Sequence, residues 1–183
     1  DGKCRTLYLL HGMSDDQTTW QRRTSIERYV SSLGIAVVMP TTHLGFYTDT
    51  TYGMKYWTFV SKELPDICRE FFPRMSARRE DTLAAGLSMG ASDTFGAAAS
   101  LSGALDMVED YRRHVDGDNS ALFRGIFGSP EDMEGSENDL MALAERLAAE
   151  KKELPRLYAW CGTEDFLYEG NRRAWEHVRR LGY

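Results

Sequence analysis

The feature that most constrains the fold is the pentapeptide GLSMG at residues 86–90, which directly follows the short apolar run 82–85. A G-x-S-x-G pattern after a strand is typical of a tight turn from the strand into a helix. Its glycines are needed because a side chain at either position would clash with neighbouring backbone. The turn lifts the serine hydroxyl above the sheet, and the amino terminus of the next helix points at it. We therefore predict that Ser88 is a catalytic nucleophile rather than part of a structural turn.

Other apolar runs have the length and composition of buried strands. Together with 82–85 they predict strands at residues 5–10, 34–40, 97–101 and 156–161. Helical spacing predicts helices at residues 25–32, 56–72, 139–152 and 171–181. Strands that alternate with helices indicate βαβ units. The sequence thus predicts an α/β fold, with a mostly parallel, twisted sheet and helices on both faces.

The 183 residues fit one domain with a core of its own. Residues 107–150 are predicted to be an insertion that lies over the sheet. Their middle part, residues 117–138, is polar and rich in glycine and acidic side chains, with a short apolar patch at residues 122–127.

Charge and composition exclude several classes of partner. The net charge is −6, and an acidic surface disfavours binding to nucleic acid. The longest apolar runs are far too short to span a membrane. The odd count and irregular spacing of Cys4, Cys68 and Cys161 predict neither a disulfide framework nor a zinc site, and reduced thiols are typical of the cytoplasm. Charged residues precede the first apolar run, so we expect no secretory leader and a cytoplasmic protein.

The second motif is LLHG at residues 9–12, a strand that ends in His-Gly. In folds with such a serine turn, the loop at this point supplies one backbone N–H to an oxyanion hole, and the residue after the nucleophile supplies the other. We assign these donors to Met13 and Met89; the alternative for the motif is an ordinary strand-exit turn. His11 itself is predicted to pack and to hydrogen-bond within the loop rather than to act as a base.

The third motif is WCGTEDFLY at residues 160–168, where a strand runs into a glycine turn. Serine triads on this fold follow the order serine, acid, histidine. Asp165 stands where the acid belongs. Glu164 is the competing candidate, and either carboxylate could instead be a solvated loop residue.

Several segments in order resemble the esterase D-like "putative esterase" family, with the tributyrin esterase and acetylesterase branch most similar. They are LYLLHGMSDDQTTW, VVMPTTHLGFYTDTTYG, ELPDICREFFP, AAGLSMG, AASLSGALD and CGTEDFLYE. The resemblance implies the α/β-hydrolase fold and hydrolysis of short-chain acyl esters, including acetylated or feruloylated sugars, without a metal or cofactor. It also implies Ser88 as nucleophile, Asp165 as acid, and the backbone N–H groups of Met13 and Met89 as the oxyanion hole. Trp20, Phe46 and Tyr47 would then lie near the substrate pocket, and the small-molecule ester would be the partner of a protein that often forms homo-oligomers.

Two alternatives stay open at this point. One is a thioesterase of the S-formylglutathione hydrolase type, or an acyltransferase. The other belongs to a different class, a non-catalytic binding protein on the same fold.

Two departures from the family bear on activity. Only nine residues, 88–96, join the two strands around the serine, whereas a parallel crossover usually takes a dozen or more. In the family, the triad histidine lies in a segment beyond the last helix, and these 183 residues contain no such segment. Of the other histidines, His43 and His114 do not keep the expected order of the triad. His177 lies inside the predicted helix 171–181, where a lone histidine is usually a partly exposed surface residue. We expect that the whole protein has further residues after Gly90 and after Tyr183.

Overall fold

The computed structural model describes residues 2–87, 95–150 and 153–183. In this part of the chain, five strands form one sheet in the order β2-β1-β3-β4-β5, with every neighbouring pair parallel. They are β1 (Thr6–Leu10), β2 (Ala36–Val38), β3 (Thr82–Leu87), β4 (Ala97–Leu101) and β5 (Arg156–Trp160). Each strand coincides with one of the five predicted runs, so the predicted parallel sheet is confirmed.

The described residues also form nine α-helices. They are α1 (Thr19–Arg23), α2 (Ile26–Val30), α3 (Tyr56–Thr58), α4 (Leu64–Phe71), α5 (Met107–Arg113), α6 (Ser120–Phe127), α7 (Pro130–Met133), α8 (Leu140–Ala149) and α9 (Tyr168–Arg180). A π-helical turn, Phe59–Glu63, joins α3 to α4, so residues 56–71 are continuously helical. The predicted helices correspond to α2, α3–α4, α8 and α9, although α9 begins earlier, at Tyr168. Four short helices, α1, α5, α6 and α7, were not predicted.

One face of the sheet packs on the helical stretch 56–71. Tyr8 and Leu10 of β1 form a buried cluster with Val60 and Phe95, and each of these four side chains is at most 1% exposed. Large apolar side chains on β1 thus meet large apolar side chains of the helical stretch. Burial of this kind is the main favourable contribution to folding.

A second cluster joins α5, α6 and α7 to the loop that follows β2. Phe46 of that loop packs edge-on against Phe123 and Phe127, with ring centroids 5.5 and 5.7 Å away. Tyr111 completes the cluster and donates from its hydroxyl to the carbonyl oxygen of Gly128. The assignment of residues 107–150 as an insertion within one domain of 183 residues stays a prediction.

Because all five strands are parallel, their carboxyl ends meet at one edge. In open α/β sheets, ligands bind at that edge. The loops after β1, β2, β4 and β5 begin there, and β3 ends there at Leu87, which precedes Ser88 in the sequence. The three sequence motifs therefore converge on one edge of the sheet.

Candidate active site

The loop after β1 lies against the last residue of β3. A β-carbon placed on Gly12 would lie 3.4 Å from the β-carbon of Leu87, and Leu10 is in register with Gly86. The His-Gly motif and the serine motif are therefore side by side. Ser88 and Met89 themselves lie outside the described residues, so their assigned roles stay predictions.

His11 is buried, and hydrogen bonds engage both of its ring nitrogens. Its Nε2 accepts from the backbone N–H of Thr42 at 3.1 Å, and its Nδ1 lies 2.8 Å from the carbonyl oxygen of Gly12. Because Nε2 accepts from an N–H, it carries no proton, and Nδ1 is the protonated nitrogen that donates to Gly12. His11 thereby ties the loop after β1 to the loop after β2, which leaves neither nitrogen free to act as a base.

Two further side chains fix the end of β1. The indole N–H of Trp20 donates to the carbonyl oxygen of Leu10 at 3.0 Å. The hydroxyl of Tyr47 donates to the carbonyl oxygen of His11 at 2.9 Å. Burial raises the pKa of the Tyr47 phenol well above its ordinary value, so the hydroxyl stays protonated as a donor. Trp20 and Tyr47 thus hold the backbone from which Met13 follows.

Met13 has the properties that an oxyanion donor needs. Its side chain is 47% exposed, and its backbone N–H donates to no other residue in the described part of the chain. Phe46 and Tyr47 line a cavity of about 10 Å³ beside it, which holds roughly one water molecule. Of the three predicted pocket residues, the structure places Phe46 and Tyr47 at this cavity, whereas Trp20 lies at the base of the loop.

Backbone strain concentrates at the same edge. Non-glycine residues rarely adopt positive φ angles, and such strained residues cluster at functional sites. Within the described ranges, every non-glycine residue with positive φ lies in a loop after β1, β2 or β4: Ser14, His43, Phe46, Tyr47 and Ser102. The sequence could not reveal this strain, because it arises from the packing of the loops.

Asp165 lies in the turn after β5 and is half-buried, whereas Glu164 is exposed. The Oδ1 atom of Asp165 accepts from the backbone N–H of Leu167 at 2.9 Å, which fixes the carboxylate in the turn. Its second oxygen accepts from no other described residue. This geometry favours Asp165 over Glu164 as the acid, and the assignment stays a prediction.

Sequence reasoning missed the residues that anchor this turn. Asn171 of α9 donates from Nδ2 to the carbonyl oxygens of Gly103 and Leu167, at 2.7 and 2.9 Å. Arg173, two residues further on, donates from Nε to Asp106 at 2.7 Å. Asn171 is only 6% exposed. The available signal was a polar residue at the first position of the predicted helix 171–181, three residues before the apolar Ala174.

The other three histidines lie in different parts of the fold. His114 is exposed and its Nδ1 lies 2.8 Å from the backbone oxygen of Asp110. His177 faces α8, with Nε2 3.1 Å from Glu145, and lies near the far end of α9. His43 is exposed and lies beside Met13, but precedes Ser88 in the chain. Across the described ranges, no three metal-binding side chains cluster, and no helix is long and apolar enough to cross a membrane.

Comparisons with known proteins decide the family. The sequence model of the family described as "Putative esterase" matches residues 1–178. The chain is also 31% identical over 195 residues to an acetyl esterase of Caldicellulosiruptor saccharolyticus. That match covers 97% of this chain and 72% of the relative. This chain belongs to that esterase family.

Solved structures support the same conclusion. The fluorophosphonate-binding serine hydrolase F of Staphylococcus aureus is 32% identical with a TM-score of 0.86. The S-formylglutathione hydrolase of the same organism is 33% identical with a TM-score of 0.82. Each match covers 98% of this chain and 72% of the other. The protein is a serine carboxylesterase with the α/β-hydrolase fold, as the sequence motifs predicted.

The match to the acetyl esterase spans 195 positions, more than the 183 residues of this chain. The relative therefore carries extra residues within the matched region. The connection between β3 and β4, residues 88–96, is unusually short for a parallel crossover.

Proposed function

We propose that this esterase hydrolyses short-chain acyl esters through an acyl-enzyme on Ser88. Asp165 is the acid of the triad, and the backbone N–H groups of Met13 and Met89 form the oxyanion hole. The observation that carries this proposal is the proximity of Gly12 to Leu87, whose β-carbon would lie 3.4 Å from a β-carbon on Gly12. It brings the loop that contains Met13, whose backbone N–H donates to none of the described residues, next to the residue that precedes Ser88.

The mechanism follows from these roles. Ser88 Oγ attacks the ester carbonyl while a histidine takes its proton, and Asp165 orients and stabilises the imidazolium. Negative charge builds on the carbonyl oxygen, where each N–H donor lowers the barrier by about 3–4 kcal/mol. The protonated histidine then gives its proton to the leaving alcohol. Water, activated by the same histidine, hydrolyses the acyl-enzyme.

We infer that the histidine comes from outside these 183 residues. His11 uses both ring nitrogens within its loops. His114 bonds to the backbone oxygen of Asp110, and His177 lies 3.1 Å from Glu145 of α8. His43 precedes Ser88 in the chain, against the order of triads on this fold. A serine, an acid and an oxyanion hole without the base would keep only about 10³–10⁴-fold catalysis over water. Full activity therefore requires the additional residue.

The substrate class is inferred from the relatives. One is an acetyl esterase and another an S-formylglutathione hydrolase, which supports a small acyl group on either an oxygen or a sulfur ester. The thioesterase is thus the second candidate, distinguished by a preference for a glutathione thioester. We also propose a cytoplasmic location and a homo-oligomer; the free thiols of Cys4, Cys68 and Cys161 support the former.

The first test is covalent labelling with a fluorophosphonate, read by intact mass and by peptide mapping. We expect one adduct on Ser88 and none in Ser88→Ala. The exposed Ser25 provides the matched control, because Ser25→Ala should label like the wild type. An unlabelled wild type, or an adduct that persists in Ser88→Ala, would contradict the assignment.

A further inference from the structure

The turn that carries Asp165 follows β5, which lies at the edge of the described sheet and pairs with β4. Where the two strands end, the backbone N–H of Ser102 donates to the carbonyl oxygen of Trp160 at 2.7 Å. Beyond that point, the backbone hydrogen bonds of the described residues 162–168 close the turn on itself, as the N–H of Asp165 does on Gly162 at 3.1 Å. Side chains must therefore hold this turn against the neighbouring loop.

One side-chain amide makes that connection. Nδ2 of Asn171 donates to the carbonyl oxygen of Leu167 at 2.9 Å and to that of Gly103 at 2.7 Å. Leu167 is bound on its other side as well, because its N–H donates to Oδ1 of Asp165 at 2.9 Å. The almost fully buried Asn171 is thus linked to the carboxylate of Asp165 through a single intervening residue.

The other end of this connection is rigid. Gly103 follows β4 in a bend so tight that a β-carbon placed on it would overlap the hydroxyl of Ser100. β4 pairs with β3, and Leu101 is in register with Leu87, which precedes Ser88 in the sequence. The carbonyl oxygen of Gly103 therefore has a fixed position relative to the strand that leads to the nucleophile.

A second contact docks the start of α9 on the same loop. Arg173 donates from Nε to Asp106 at 2.7 Å, and the side chain of Asp106 is only 13% exposed. A β-carbon on Gly170 would lie 3.5 Å from the β-carbon of Asp106, so the helix approaches the loop closely. Arg173 and Gly170 fix the helix, whereas Asn171 bonds to the residue that holds Asp165.

We propose that Asn171 is a positioning residue for the acid of the triad. Its hydrogen bonds to Gly103 and Leu167 set the place of the Asp165 carboxylate relative to Ser88, and it acts through Leu167 rather than on the substrate. A misplacement of about 1 Å can cost a reaction about 10²-fold in rate. The inference rests on Asp165 as the acid, which is part of the proposed function.

Asn171→Leu tests this in the whole protein, because leucine has the same number of side-chain heavy atoms but no donor. We expect kcat for 4-nitrophenyl acetate to fall by about tenfold to a hundredfold. KM should change little, since the acid assists both the formation and the hydrolysis of the acyl-enzyme.

Asn171→Ser separates the two hydrogen bonds and replaces the first variant if that one does not fold. A serine in a helix can donate to the carbonyl oxygen four residues earlier, here that of Leu167, but its side chain is too short to replace the bond to Gly103. Its kcat should fall less than that of Asn171→Leu. A wild-type kcat in either variant would overturn the positioning role.

Arg172→Gln is the matched control on the same helix. Arg172 pairs with Glu169 and Glu176 on the exposed face of α9, so its replacement should leave kcat and KM unchanged. Urea titration of every variant gives the folded fraction, by which each kcat is corrected. A loss in Arg172→Gln equal to that in Asn171→Leu would assign the effect to the helix as a whole and overturn the proposal.

A double-mutant cycle with Asp165→Asn distinguishes positioning from a merely structural role. Once the carboxylate is gone, Asn171→Leu should change the remaining kcat by no more than about twofold, because coupled residues are not additive. An equal loss in both backgrounds would overturn the positioning role and leave Asp165 as the acid. Wild-type activity in Asp165→Asn alone would instead overturn the acid assignment, and this inference with it.

Discussion

The carbonyl oxygen of Leu10 lies 2.7 Å from the position that a β-carbon on Gly86 would occupy. The β-carbon of Leu10 is nearly as close, at 2.8 Å. Both atoms belong to the strand that pairs with β3, so they cannot move away without distorting the centre of the sheet. The first glycine of the serine motif is therefore required by the packing of β1 against β3.

Gly86→Ala should consequently destabilise the protein. Overpacking of this kind typically costs about 1–3 kcal/mol, because backbone must shift to admit the methyl group. The shift would also move Leu87, and with it Ser88, so labelling by a fluorophosphonate should slow. Urea denaturation and the labelling rate measure the two effects.

Gly125→Ala is the matched control. A β-carbon on Gly125 meets no other atom within 4 Å, and the residue lies inside α6. Alanine in a helix interior is favoured over glycine by about 0.5–1 kcal/mol, so this variant should be more stable than the wild type. If both variants changed stability in the same direction, the contact with Leu10 would not be the cause.

The hydrogen bonds of His11 predict its tautomer. Nε2 accepts from the backbone N–H of Thr42 and lies 3.3 Å from the hydroxyl of Thr41, so the ring should be neutral with its proton on Nδ1. Nitrogen-15 NMR of the imidazole separates the two tautomers by their chemical shifts. A proton on Nε2 would contradict the proposed link between the loops after β1 and β2. The exposed ring of His114 offers an internal comparison in the same spectrum.

The strands could be predicted because each consists of a short apolar run in a parallel sheet. Such strands are buried on both faces and read as continuous hydrophobic segments. The burial pattern of β1 shows this, since four of its five residues are buried. The edge strand β5 was also found, although alternate residues, including Tyr158 and Trp160, are more than half exposed. Its β-rich composition was a sufficient signal.

The helices α5 and α6 could not be predicted in the same way. Both are short, and isolated helices of that length are marginal in water. They are held by tertiary contacts, such as those of Phe127 with Tyr111 and with Phe46 from a distant loop. Their sequence also contains glycine and many charged residues, which favoured the interpretation as a polar insertion.

For the candidate site, the sequence predicted which loops converge, but not how they are held. The order of the motifs follows from strand connectivity, which periodicity reveals. The clamp from Asn171 to Gly103 joins residues 68 positions apart, and no local pattern encodes such a contact.

Asp81 should make stability depend on pH in the acid range. Hydrogen bonds from Arg78 and Ser76 lower the pKa of its carboxyl to about 2, whereas an unfolded aspartate titrates near 3.9. A carboxyl whose pKa is lower in the folded state stabilises it above the unfolded pKa, and that contribution disappears as the pH falls toward the folded pKa. The stabilisation by Asp81 should therefore fade between about pH 4 and pH 2.

The comparison of wild type with Asp81→Asn tests this. Free energies of unfolding from urea titrations should differ most at neutral pH and converge as the pH falls to about 2. Asp118→Asn removes an exposed carboxyl and serves as the control, with a small difference at every pH. A difference for Asp81→Asn that stayed constant from pH 6 to pH 2 would show that the ionised carboxylate does not stabilise this corner of the sheet.

Asp165 and Glu164 are adjacent, yet they should differ sharply in their effect on catalysis. Asp165 is held in its turn by the N–H of Leu167, whereas Glu164 is exposed. Replacing the acid of a serine triad by its amide lowers kcat by about 10⁴, because the histidine adopts the wrong tautomer. Asp165→Asn should show a loss of that order in the hydrolysis of 4-nitrophenyl acetate by the whole protein, with KM little changed. Glu164→Gln should stay within about twofold of the wild type, since an exposed carboxylate outside the triad contributes little. The opposite result, a large loss in Glu164→Gln alone, would move the acid of the triad to Glu164.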